Sequence, residues 1–338
     1  MKVLVTDYAW KSLDIEKDIL QRVGASIVAA PTGEEDELAE LATDVDAILT
    51  CWKSVTKKVI QSAPRCLTIG RYGIGLDNID VAFATSVGIV VTNVPTYCVE
   101  EVSDHAMALL LAQARKAAFY DRSIKGGRYN LRSGTPLFRI AGKTLGIAGF
   151  GKIGQAVYRK ARGFGLNVCV YDPYVNDGVL SAYQVQQVSF QDLLKASDYI
   201  TIHMPLTPET QHFFNYEAFL QMKRTAFLIN TSRGDIIEPE GLLRALNEGL
   251  LAGAGLDVLS KEPPDPADSL ILHPKTVITP HAAFNSEESL AELQRSAAEQ
   301  AASVMAGKLP PHVVNPGVLE QSNLRAIFKD TGSGTPSR

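Results

Sequence analysis

The chain has 338 residues, of which 46% are hydrophobic and 21% charged, and its formal net charge is −4. At about 150 residues per domain, this length corresponds to roughly two domains. The apolar content suffices for two cores, which excludes a wholly disordered chain. Lys and Arg are scattered, so the sequence lacks the basic footprint of a nucleic-acid-binding protein.

Neither a membrane span nor a secretory signal is predicted. No stretch of about 20 consecutive apolar residues occurs, and Met1–Asp7 lacks the basic start and apolar middle of a signal peptide. The cysteines lie far apart without a CxxC pair, which disfavours a disulfide scaffold and a zinc ribbon. They are Cys51, Cys66, Cys98 and Cys169. We therefore expect a cytoplasmic protein that binds neither membrane nor nucleic acid.

Short apolar runs alternate with amphipathic segments in the first third of the chain. The predicted strands are Val3–Thr6, Ser26–Ala30, Ala47–Thr50, Leu67–Gly70 and Ile89–Thr92. Between them, Leu13–Arg22 and Glu34–Ala42 show helical spacing and charge. This alternation is typical of a parallel sheet built from βαβ units, and it predicts a first domain that is flavodoxin-like.

The middle of the chain departs from this alternation. After Pro95, the segment Val102–Ala118 is rich in Ala, Leu and Met. It predicts a helix whose apolar surface is buried between domains or subunits. Residues 121–142 are polar, rich in Gly and Arg and without a period, which predicts a long loop.

From Thr144 the alternation resumes and predicts a second doubly wound domain. Its predicted strands are Thr144–Ala148, Val168–Tyr171, Tyr199–His203, Ala226–Asn230, Gly253–Val258 and Thr276–Thr279, and its predicted helices include Gly154–Gly163, Phe190–Lys195 and Pro239–Glu248. Glu287–Ala306 predicts a final long helix, and the short apolar segment Val313–Val318 is expected to pack on the first domain. The terminal Thr331–Arg338, rich in Gly, Ser, Thr and Pro, is expected to be frayed.

The segment Gly149–Gly154 matches the pattern GxGxxG, follows the predicted strand Thr144–Ala148 and opens a predicted helix. This context indicates a dinucleotide-binding loop. Gly149 permits a tight turn, Gly151 lets the backbone approach a pyrophosphate, and Gly154 lets the helix pack closely on the strand. Free N–H groups at the positive end of the helix then receive the phosphates.

Asp172 ends the next predicted strand, 18 residues after Gly154. Its carboxylate is placed to accept hydrogen bonds from a ribose diol and would repel a 2′-phosphate. No Arg adjoins it in Tyr171–Tyr174, so NAD is favoured over NADP. A plain glycine turn with a capping aspartate is the competing interpretation.

Three charged or titratable residues follow predicted strands of the second domain. Arg233 follows Asn230, Glu262 comes soon after Val258, and His281 follows Pro280. Since ligands gather at the carboxyl ends of strands in open α/β sheets, all three could converge on one cleft. The set suits hydride transfer: His281 takes the alcohol proton, Glu262 holds the imidazole, and Arg233 binds a carboxylate and polarises a carbonyl.

Each of these residues also has a plainer interpretation. Taken singly, Arg233 could be a loop charge, Glu262 could cap a turn, and His281 could be an ordinary loop histidine. The sequence Ser103-Asp104-His105 contains triad residue types, but consecutive helical residues point in different directions and cannot form a relay. His105 is therefore expected to be a helix residue at a domain junction. No histidine has partners at metal-ligand spacing, so we predict no metal site.

Six ordered motifs between about residues 45 and 316 closely resemble the D-2-hydroxyacid dehydrogenase family. They are Gly73–Asp80, Asn93–Pro95, Gly149–Gly154, Asn230–Gly234, Asp257-Val258 with Glu262-Pro263, and Thr279–Ala283. The resemblance implies an Arg–Glu–His catalytic set on Arg233, Glu262 and His281. It also implies that backbone amides of Tyr72–Gly75 hold the substrate carboxylate, so the candidate substrate contacts are Tyr72, Gly73, Ile74, Gly75, Arg233 and Phe284.

The resemblance also implies the cofactor and the domain plan. The residues lining an NAD site would be Ile74, Gly149, Gly151, Lys152, Ile153, Gly154, Asp172, His203, Thr231 and Asp257, with Asp257 near the nicotinamide amide. A Rossmann NAD-binding domain (97–287) would be inserted in a flavodoxin-like substrate-binding domain (1–96 plus 288–320), followed by a tail (321–338). Homodimers would form through the NAD domain, and closure of the domains would exclude water.

Within the family, Tyr171–Tyr174 and Thr279–Glu287 look most like the C-terminal-binding proteins, which are NADH-binding corepressors, although Phe284 stands where those carry Trp. The chain also resembles short phosphoglycerate dehydrogenases. The arginine that those enzymes place near the end of the third strand corresponds to Thr50 here, which weakens the phosphoglycerate interpretation. Lys53 or Arg132 could take the place of that arginine.

The sequence therefore predicts an NAD-dependent oxidoreductase that interconverts a small 2-oxo acid and a D-2-hydroxy acid. Two alternatives stay open. One is an NADH-sensing binding protein of the corepressor kind, and the other is a family dehydrogenase acting on an unusual anion such as a phosphonate.

Overall fold

The computed structural model of the protein describes residues 1–329, which fall into two compact units. Unit 1 comprises Met1–Tyr97 together with the chain from Ser286 onward, and unit 2 comprises Cys98–Asn285. The terminal segment that the sequence predicts to be frayed lies outside the described residues.

Unit 1 is built on a five-stranded parallel sheet. Its strands are β1 (Lys2–Val5), β2 (Ser26–Ala29), β3 (Ala47–Thr50), β4 (Thr68–Arg71) and β5 (Val90–Thr92), in the order β2-β1-β3-β4-β5. Every residue of β3 and β4 is buried, as expected for a parallel sheet covered on both faces. The flavodoxin-like prediction is confirmed.

Helices cover this sheet. The first four are α1 (Asp14–Gln21), α2 (Glu35–Leu41), α3 (Lys57–Gln61) and α4 (Val81–Ser86). The long helix Glu287–Met305 begins at Ser286 with a capping box and packs against α1 and β4. Residues 313–318 also pack on this unit: the Val314 N–H donates to the Val91 carbonyl at 2.9 Å, and Val318 is fully buried, which confirms the expectation for that segment.

Unit 2 is built on a seven-stranded parallel sheet. Its strands are β6 (Thr144–Ala148), β7 (Asn167–Tyr171), β8 (Gln186–Gln187), β9 (Tyr199–Ile202), β10 (Phe227–Asn230), β11 (Gly253–Leu256) and β12 (Thr276–Ile278), in the order β12-β11-β10-β9-β6-β7-β8. Strand order reverses between β6 and β9, and such a switch point is where open α/β sheets bind ligands. This is the predicted Rossmann topology.

The helices of unit 2 lie along the same chain. They are α5 (Val99–Ala114), α6 (Ala117–Lys125), α7 (Lys152–Gly163), α8 (Asp177–Tyr183), α9 (Phe190–Ala196), α10 (Tyr216–Gln221), α11 (Pro239–Asn247) and α12 (Ser269–Leu272), and Glu287–Met305 of unit 1 follows as α13. Within residues 1–329, no helix combines the length and the hydropathy needed to cross a bilayer.

The segment between α5 and β6 differs from the prediction. The expected single helix 102–118 is two helices, because Lys116 adopts a left-handed conformation with φ of 55°. The prediction of an unstructured loop over 121–142 is wrong for two stretches. Helix α6 continues to Lys125, and a 3₁₀ turn spans Leu131–Gly134. Only Ser123 of α6 is buried, so the helix carries little of the apolar period that sequence analysis depends on.

Candidate active site

Three glycines shape the loop between β6 and α7, each for a different reason. Gly149 has φ of +94°, and a Cβ on it would lie 2.6 Å from the backbone of His203. A Cβ on Gly154 would lie 2.3 Å from the Gly149 carbonyl oxygen, so α7 packs directly on the loop. A Cβ on Gly151 would have nothing within 4 Å among residues 1–329. Gly149 and Gly154 are thus required because other parts of the backbone pack closely against them, whereas the space above Gly151 is open.

That open space lies at the start of α7. Gly151 is the N-cap residue and supplies no side-chain acceptor to the helix. The first N–H groups of a helix, here those of Lys152, Ile153 and Gly154, have no acceptor within the helix and lie at its positive end. The loop therefore fits a pyrophosphate, which a Cβ on Gly151 would displace.

Asp172, directly after β7, is hydrogen-bonded to this loop. Its Oδ2 accepts the Phe150 N–H at 2.7 Å and its Oδ1 accepts the Tyr174 N–H at 2.9 Å. A carboxylate has about four acceptor positions, so it can still accept from a ribose diol. Residues 173–178 contain no cation to bind a 2′-phosphate.

His203 and Thr231 follow β9 and β10 on the other side of the switch point. Burial lowers the pKa of His203 to about 3, so the imidazole is neutral, and its Nε2 lies 2.8 Å from Thr201 Oγ1. The Thr231 hydroxyl is buried and has no hydrogen-bond partner within the described part of the chain. Buried hydroxyls are normally satisfied, so this one fits a ligand that supplies the missing partner.

Arg233 lies on the turn that follows β10. The side chain of Asn230, the last residue of β10, makes two hydrogen bonds to the backbone of this turn. The Asn230 side chain donates to the Arg233 carbonyl at 2.8 Å and accepts the Ser232 N–H at 3.0 Å. A Cβ on Gly234 would lie 2.0 Å from the Leu259 carbonyl carbon. The chain leading to Glu262 therefore passes directly over the Arg233 turn.

Glu262 and His281 form a hydrogen-bonded pair. His281 Nδ1 lies 2.7 Å from Glu262 Oε2, and Glu262 Oε1 accepts the Leu259 N–H at 2.9 Å. Burial by itself raises the pKa of Glu262, but the hydrogen bonds from His281 and Leu259 and the nearby Arg233 charge outweigh it and leave that pKa below its ordinary value. Glu262 is therefore a carboxylate at neutral pH, and Nδ1 carries the proton toward it.

Asp257 organises the turn that carries His281. Its Oδ1 accepts from the Ala282 N–H at 2.9 Å, and its Oδ2 accepts from the Ala283 N–H at 2.9 Å. Its backbone carbonyl accepts the His281 N–H at 2.7 Å. His281 has φ of 53°, a conformation that L-residues rarely adopt, so these bonds hold a strained backbone.

Two further residues enter this network, and sequence analysis assigned neither of them to the site. Thr279 Oγ1 donates to Asp257 Oδ1 at 2.5 Å, and His105 Nε2 lies 2.8 Å from the same hydroxyl. Thr279 could have been found because it stands two residues before His281. His105 is 174 residues from Thr279 in sequence, and no local signal connects them.

The candidate substrate loop in unit 1 is only partly available for binding. The Tyr72 N–H donates to Thr50 O at 2.8 Å and the Gly73 N–H to Arg71 O at 3.0 Å. Among the described residues, the N–H groups of Ile74 and Gly75 have no acceptor. The expectation that all four amides hold a carboxylate is therefore corrected to these two.

The side chains of the candidate substrate contact Tyr72 and of Thr50 are buried in the core of unit 1. The Tyr72 hydroxyl donates to Glu16 Oε1 at 3.2 Å, and its side chain is 1% exposed. Thr50 is fully buried and its hydroxyl donates to Lys53 O at 2.7 Å. In unit 2, the ring of Phe284 lies edge-on to His281 at 6.2 Å between centroids. The described residues contain no group of three or more potential metal ligands.

Comparison with known proteins identifies the relatives of this chain. The family model for the NAD-binding domain of D-isomer-specific 2-hydroxyacid dehydrogenases matches residues 107–283. A glyoxylate reductase of Korarchaeum cryptofilum is 38% identical over 287 residues, which are 84% of this chain and 86% of that protein. A D-3-phosphoglycerate dehydrogenase of Methanocaldococcus jannaschii is 39% identical over 327 residues, but this chain spans only 61% of its length.

The solved structures agree with the sequence relatives. A D-lactate dehydrogenase of Aquifex aeolicus, in complex with NAD and lactic acid, aligns with a TM-score of 0.83 at 25% identity. The alignment covers 93% of this chain and 99% of that one.

Proposed function

Because the chain belongs to the D-isomer-specific 2-hydroxyacid dehydrogenase family and is thus an NAD-dependent oxidoreductase of 2-hydroxy and 2-oxo acids, we propose that Arg233, Glu262 and His281 carry out its chemistry. The observation that carries the proposal is the 2.7 Å hydrogen bond between His281 Nδ1 and Glu262 Oε2. It leaves Nε2 as the nitrogen that exchanges a proton with substrate.

The roles follow from this arrangement. The nicotinamide, when bound, supplies a hydride to C2 of a 2-oxo acid or accepts one from C2 of a 2-hydroxy acid. In reduction, His281 gives its Nε2 proton to the carbonyl oxygen, and in oxidation it takes the hydroxyl proton. Glu262 fixes the imidazole orientation and stabilises its protonated form. Arg233 binds the substrate carboxylate and polarises the carbonyl.

We assign the cofactor to unit 2, within the NAD-binding domain expected at 97–287. Gly151 and the start of α7 hold the pyrophosphate, Asp172 holds a ribose diol, and Thr231 supplies its unpaired hydroxyl to the bound group. The acidic Asp172, with no cation beside it, favours NAD(H) over NADP(H). Lys152, Ile153, His203 and Asp257 complete the proposed contacts of this unit, with Asp257 also holding the His281 turn.

We assign the substrate side to unit 1, expected at 1–96 plus 288–320. The amides of Ile74 and Gly75 are the proposed carboxylate donors, and Phe284 of unit 2 is a proposed contact for the substrate. Reduction of glyoxylate and oxidation of phosphoglycerate are activities named for relatives. Thr50 is buried, bonded to Lys53 and uncharged, so it supplies no cation for a phosphate at this position, and this favours an unphosphorylated substrate.

We further propose that the protein is a cytoplasmic homodimer that associates through unit 2. The segment after α5 exposes apolar side chains, which marks protein interfaces. They are Ile124, Tyr129, Leu131 and Phe138, exposed by 52%, 91%, 81% and 44%. Light scattering after gel filtration should give a molecular mass twice that of one chain. In Leu131→Glu, the measured mass should fall toward that of one chain. A monomer for the native chain would contradict the proposal.

The cytoplasmic location is supported by the cysteines. Cys51, Cys66 and Cys169 are buried thiols outside any disulfide, which suits a reducing compartment.

Replacement of His281 tests the catalytic assignment. His281→Ala should lower kcat for 2-oxo acid reduction by about 10²- to 10⁴-fold, the usual contribution of a general acid. The Kd of NADH, measured by fluorescence titration, should change less than threefold, because the glycine loop is untouched. His273→Ala serves as the matched control, since His273 lies outside the proposed site. Unchanged turnover in His281→Ala would refute the assignment.

A further inference from the structure

Helix α5 is held closely against strand β11. A Cβ on Gly255 would lie 3.0 Å from Leu109 Cβ, so a larger residue in the strand would push the helix away. Near the end of the helix, Gln113 Nε2 donates to the Ala254 carbonyl at 2.5 Å and to the Lys275 carbonyl at 3.1 Å. These contacts fix the height and rotation of α5 over the strands that lead to Asp257 and Thr279.

His105 lies on the same helix, eight residues before Gln113. At 1.5 Å per residue it stands about 12 Å away along the axis, toward the carboxyl ends of the strands. Its Nε2 lies 2.8 Å from Thr279 Oγ1 and 3.4 Å from Asp257 Oδ1. The side chain is 24% exposed, and the Asp257 side chain that it approaches is 1% exposed.

The direction of the hydrogen bonds can be assigned from chemistry. A threonine hydroxyl has one hydrogen, and Thr279 donates it to Asp257 Oδ1 at 2.5 Å. Thr279 Oγ1 must therefore accept from His105, so Nε2 of His105 carries a hydrogen. The chain of donors runs from His105 through Thr279 to Asp257, and hydrogen bonds in such a chain strengthen one another.

This series of hydrogen bonds ends at the turn that carries the proposed acid/base His281. Asp257 accepts the N–H groups of Ala282 and Ala283 through its carboxylate and that of His281 through its carbonyl. The strained backbone of His281, with φ of 53°, persists only while its surroundings hold it. A shift of Asp257 would therefore move His281 relative to Glu262.

We propose that His105 is a positioning residue for catalysis, which acts through Thr279 and Asp257 to hold His281 in its working orientation. The proposal rests on the function assigned to His281 above. His105 itself exchanges no proton with substrate: its Nε2–H is used by Thr279. Its contribution is geometric, and displacement of a catalytic group by about 1 Å can cost about 10²-fold in rate.

A double-mutant cycle tests the proposal. His105→Leu removes the donor and should lower kcat for 2-oxo acid reduction at least tenfold. In the His281→Ala background, the same change should lower kcat less than twofold, because the group that it positions is gone. Equal losses of kcat in the two backgrounds would show that His105 affects the enzyme independently of His281, and would overturn the proposal. So would an unchanged kcat in His105→Leu.

Three variants separate positioning from general stability. His105→Gln retains an N–H donor at similar reach and should restore kcat to within threefold of the native value. Ser103→Ala removes a hydrogen bond between the buried Ser103 of α5 and Lys160 and should lower Tm while kcat changes less than twofold. If His105→Leu does not fold, Thr279→Val interrupts the same chain and should show the same loss of kcat and the same lack of additivity. Additive losses in Thr279→Val would also overturn the proposal.

The outcomes distinguish this proposal from the one on which it rests. Native turnover in His281→Ala would remove the catalytic assignment altogether. A severe loss in His281→Ala together with native turnover in His105→Leu would leave that assignment standing and reject only the role of His105.

Discussion

The hydrogen bond between His281 Nδ1 and Glu262 Oε2 determines which imidazole nitrogen faces the chemistry. At 2.7 Å to a carboxylate that keeps a lowered pKa, Nδ1 is the protonated nitrogen. Nε2 is then left to exchange a proton with substrate. The same pairing stabilises the imidazole when it is protonated, so the carboxylate charge, and not only its shape, matters.

Glu262→Gln separates charge from shape. The amide can still accept from Nδ1–H, but it carries no charge to stabilise protonated His281, so we expect kcat for 2-oxo acid reduction to fall about 10- to 100-fold. Steady-state kinetics at saturating NADH measures this. Glu248→Gln, which changes an exposed carboxylate paired with Arg244, is the control. A kcat within twofold of native in Glu262→Gln would show that the charge has no catalytic role.

Asp172 is predicted to select the cofactor. Asp172→Ser removes the carboxylate that would repel a 2′-phosphate, so we expect the ratio of kcat/KM for NADPH to that for NADH to rise at least tenfold. Since Asp172 also accepts the Phe150 N–H, a thermal melt must accompany the kinetics. An unchanged ratio in a folded variant would mean that another residue determines the preference.

The loop and helix from Gly149 to Gly163 require glycine at two positions, Gly151 and Gly154, for two different reasons. At Gly154 the requirement is internal, because a Cβ would lie 2.3 Å from a backbone oxygen of the loop. At Gly151 an added Cβ would meet nothing within 4 Å in the described part of the chain, and the proposed pyrophosphate is what needs the space. Stability and cofactor binding should therefore respond differently to the same substitution at the two positions.

Alanine substitution along α7 makes this difference measurable. Gly151→Ala should keep the native Tm and weaken NADH binding at least tenfold. Gly154→Ala should lower Tm, since backbone atoms must move. Gly163→Ala is the control, because a Cβ at this helical position would meet no described atom within 4 Å. It should leave NADH binding unchanged and should not lower Tm. Native NADH affinity in Gly151→Ala would remove the phosphate site from this loop.

Fully buried elements agree best with the predictions made from the sequence. The strands of both sheets were located to within one or two residues, except the exposed two-residue β8, which was not predicted. Strands covered on both faces are continuous apolar runs, which makes them easy to locate. Helices with few buried residues were missed: α8 has none, and α6 has only Ser123. The left-handed Lys116 that separates α5 from α6 gives no compositional sign, since lysine rarely adopts that conformation.

For the candidate site too, some features could be predicted from the sequence and others could not. Arg233, Glu262 and His281 stand at strand ends, where topology alone predicts that ligand-binding groups gather. Hydrogen-bond occupancy could not be predicted: only the structure shows that the Tyr72 and Gly73 amides are already used. The connection from His105 to Asp257 depends on the packing of α5 on β11, which is a long-range contact.

The stability of the whole protein should depend on His203. Burial lowers its pKa to about 3 in the folded state, whereas an unfolded histidine titrates near 6.5. Between these values the unfolded chain binds more protons, so the free energy of unfolding falls as pH falls, by up to about 1.4 kcal/mol per pH unit. Urea unfolding of the native chain and of His203→Asn between pH 7 and pH 4.5 should show a shallower slope in the variant. Identical slopes would mean that His203 does not contribute.

The most direct test of the assigned reaction is the product of NADH oxidation by the purified protein. A panel of unphosphorylated 2-oxo acids that includes glyoxylate, hydroxypyruvate and phenylpyruvate would be incubated with NADH, with NADPH in parallel, and chiral 2-hydroxy acid products resolved by chromatography. We predict turnover with NADH, at least one compound reduced far faster than the rest, and chiral products of the D configuration only. NADH binding without reduction of any compound, or formation of the L product, would contradict the account.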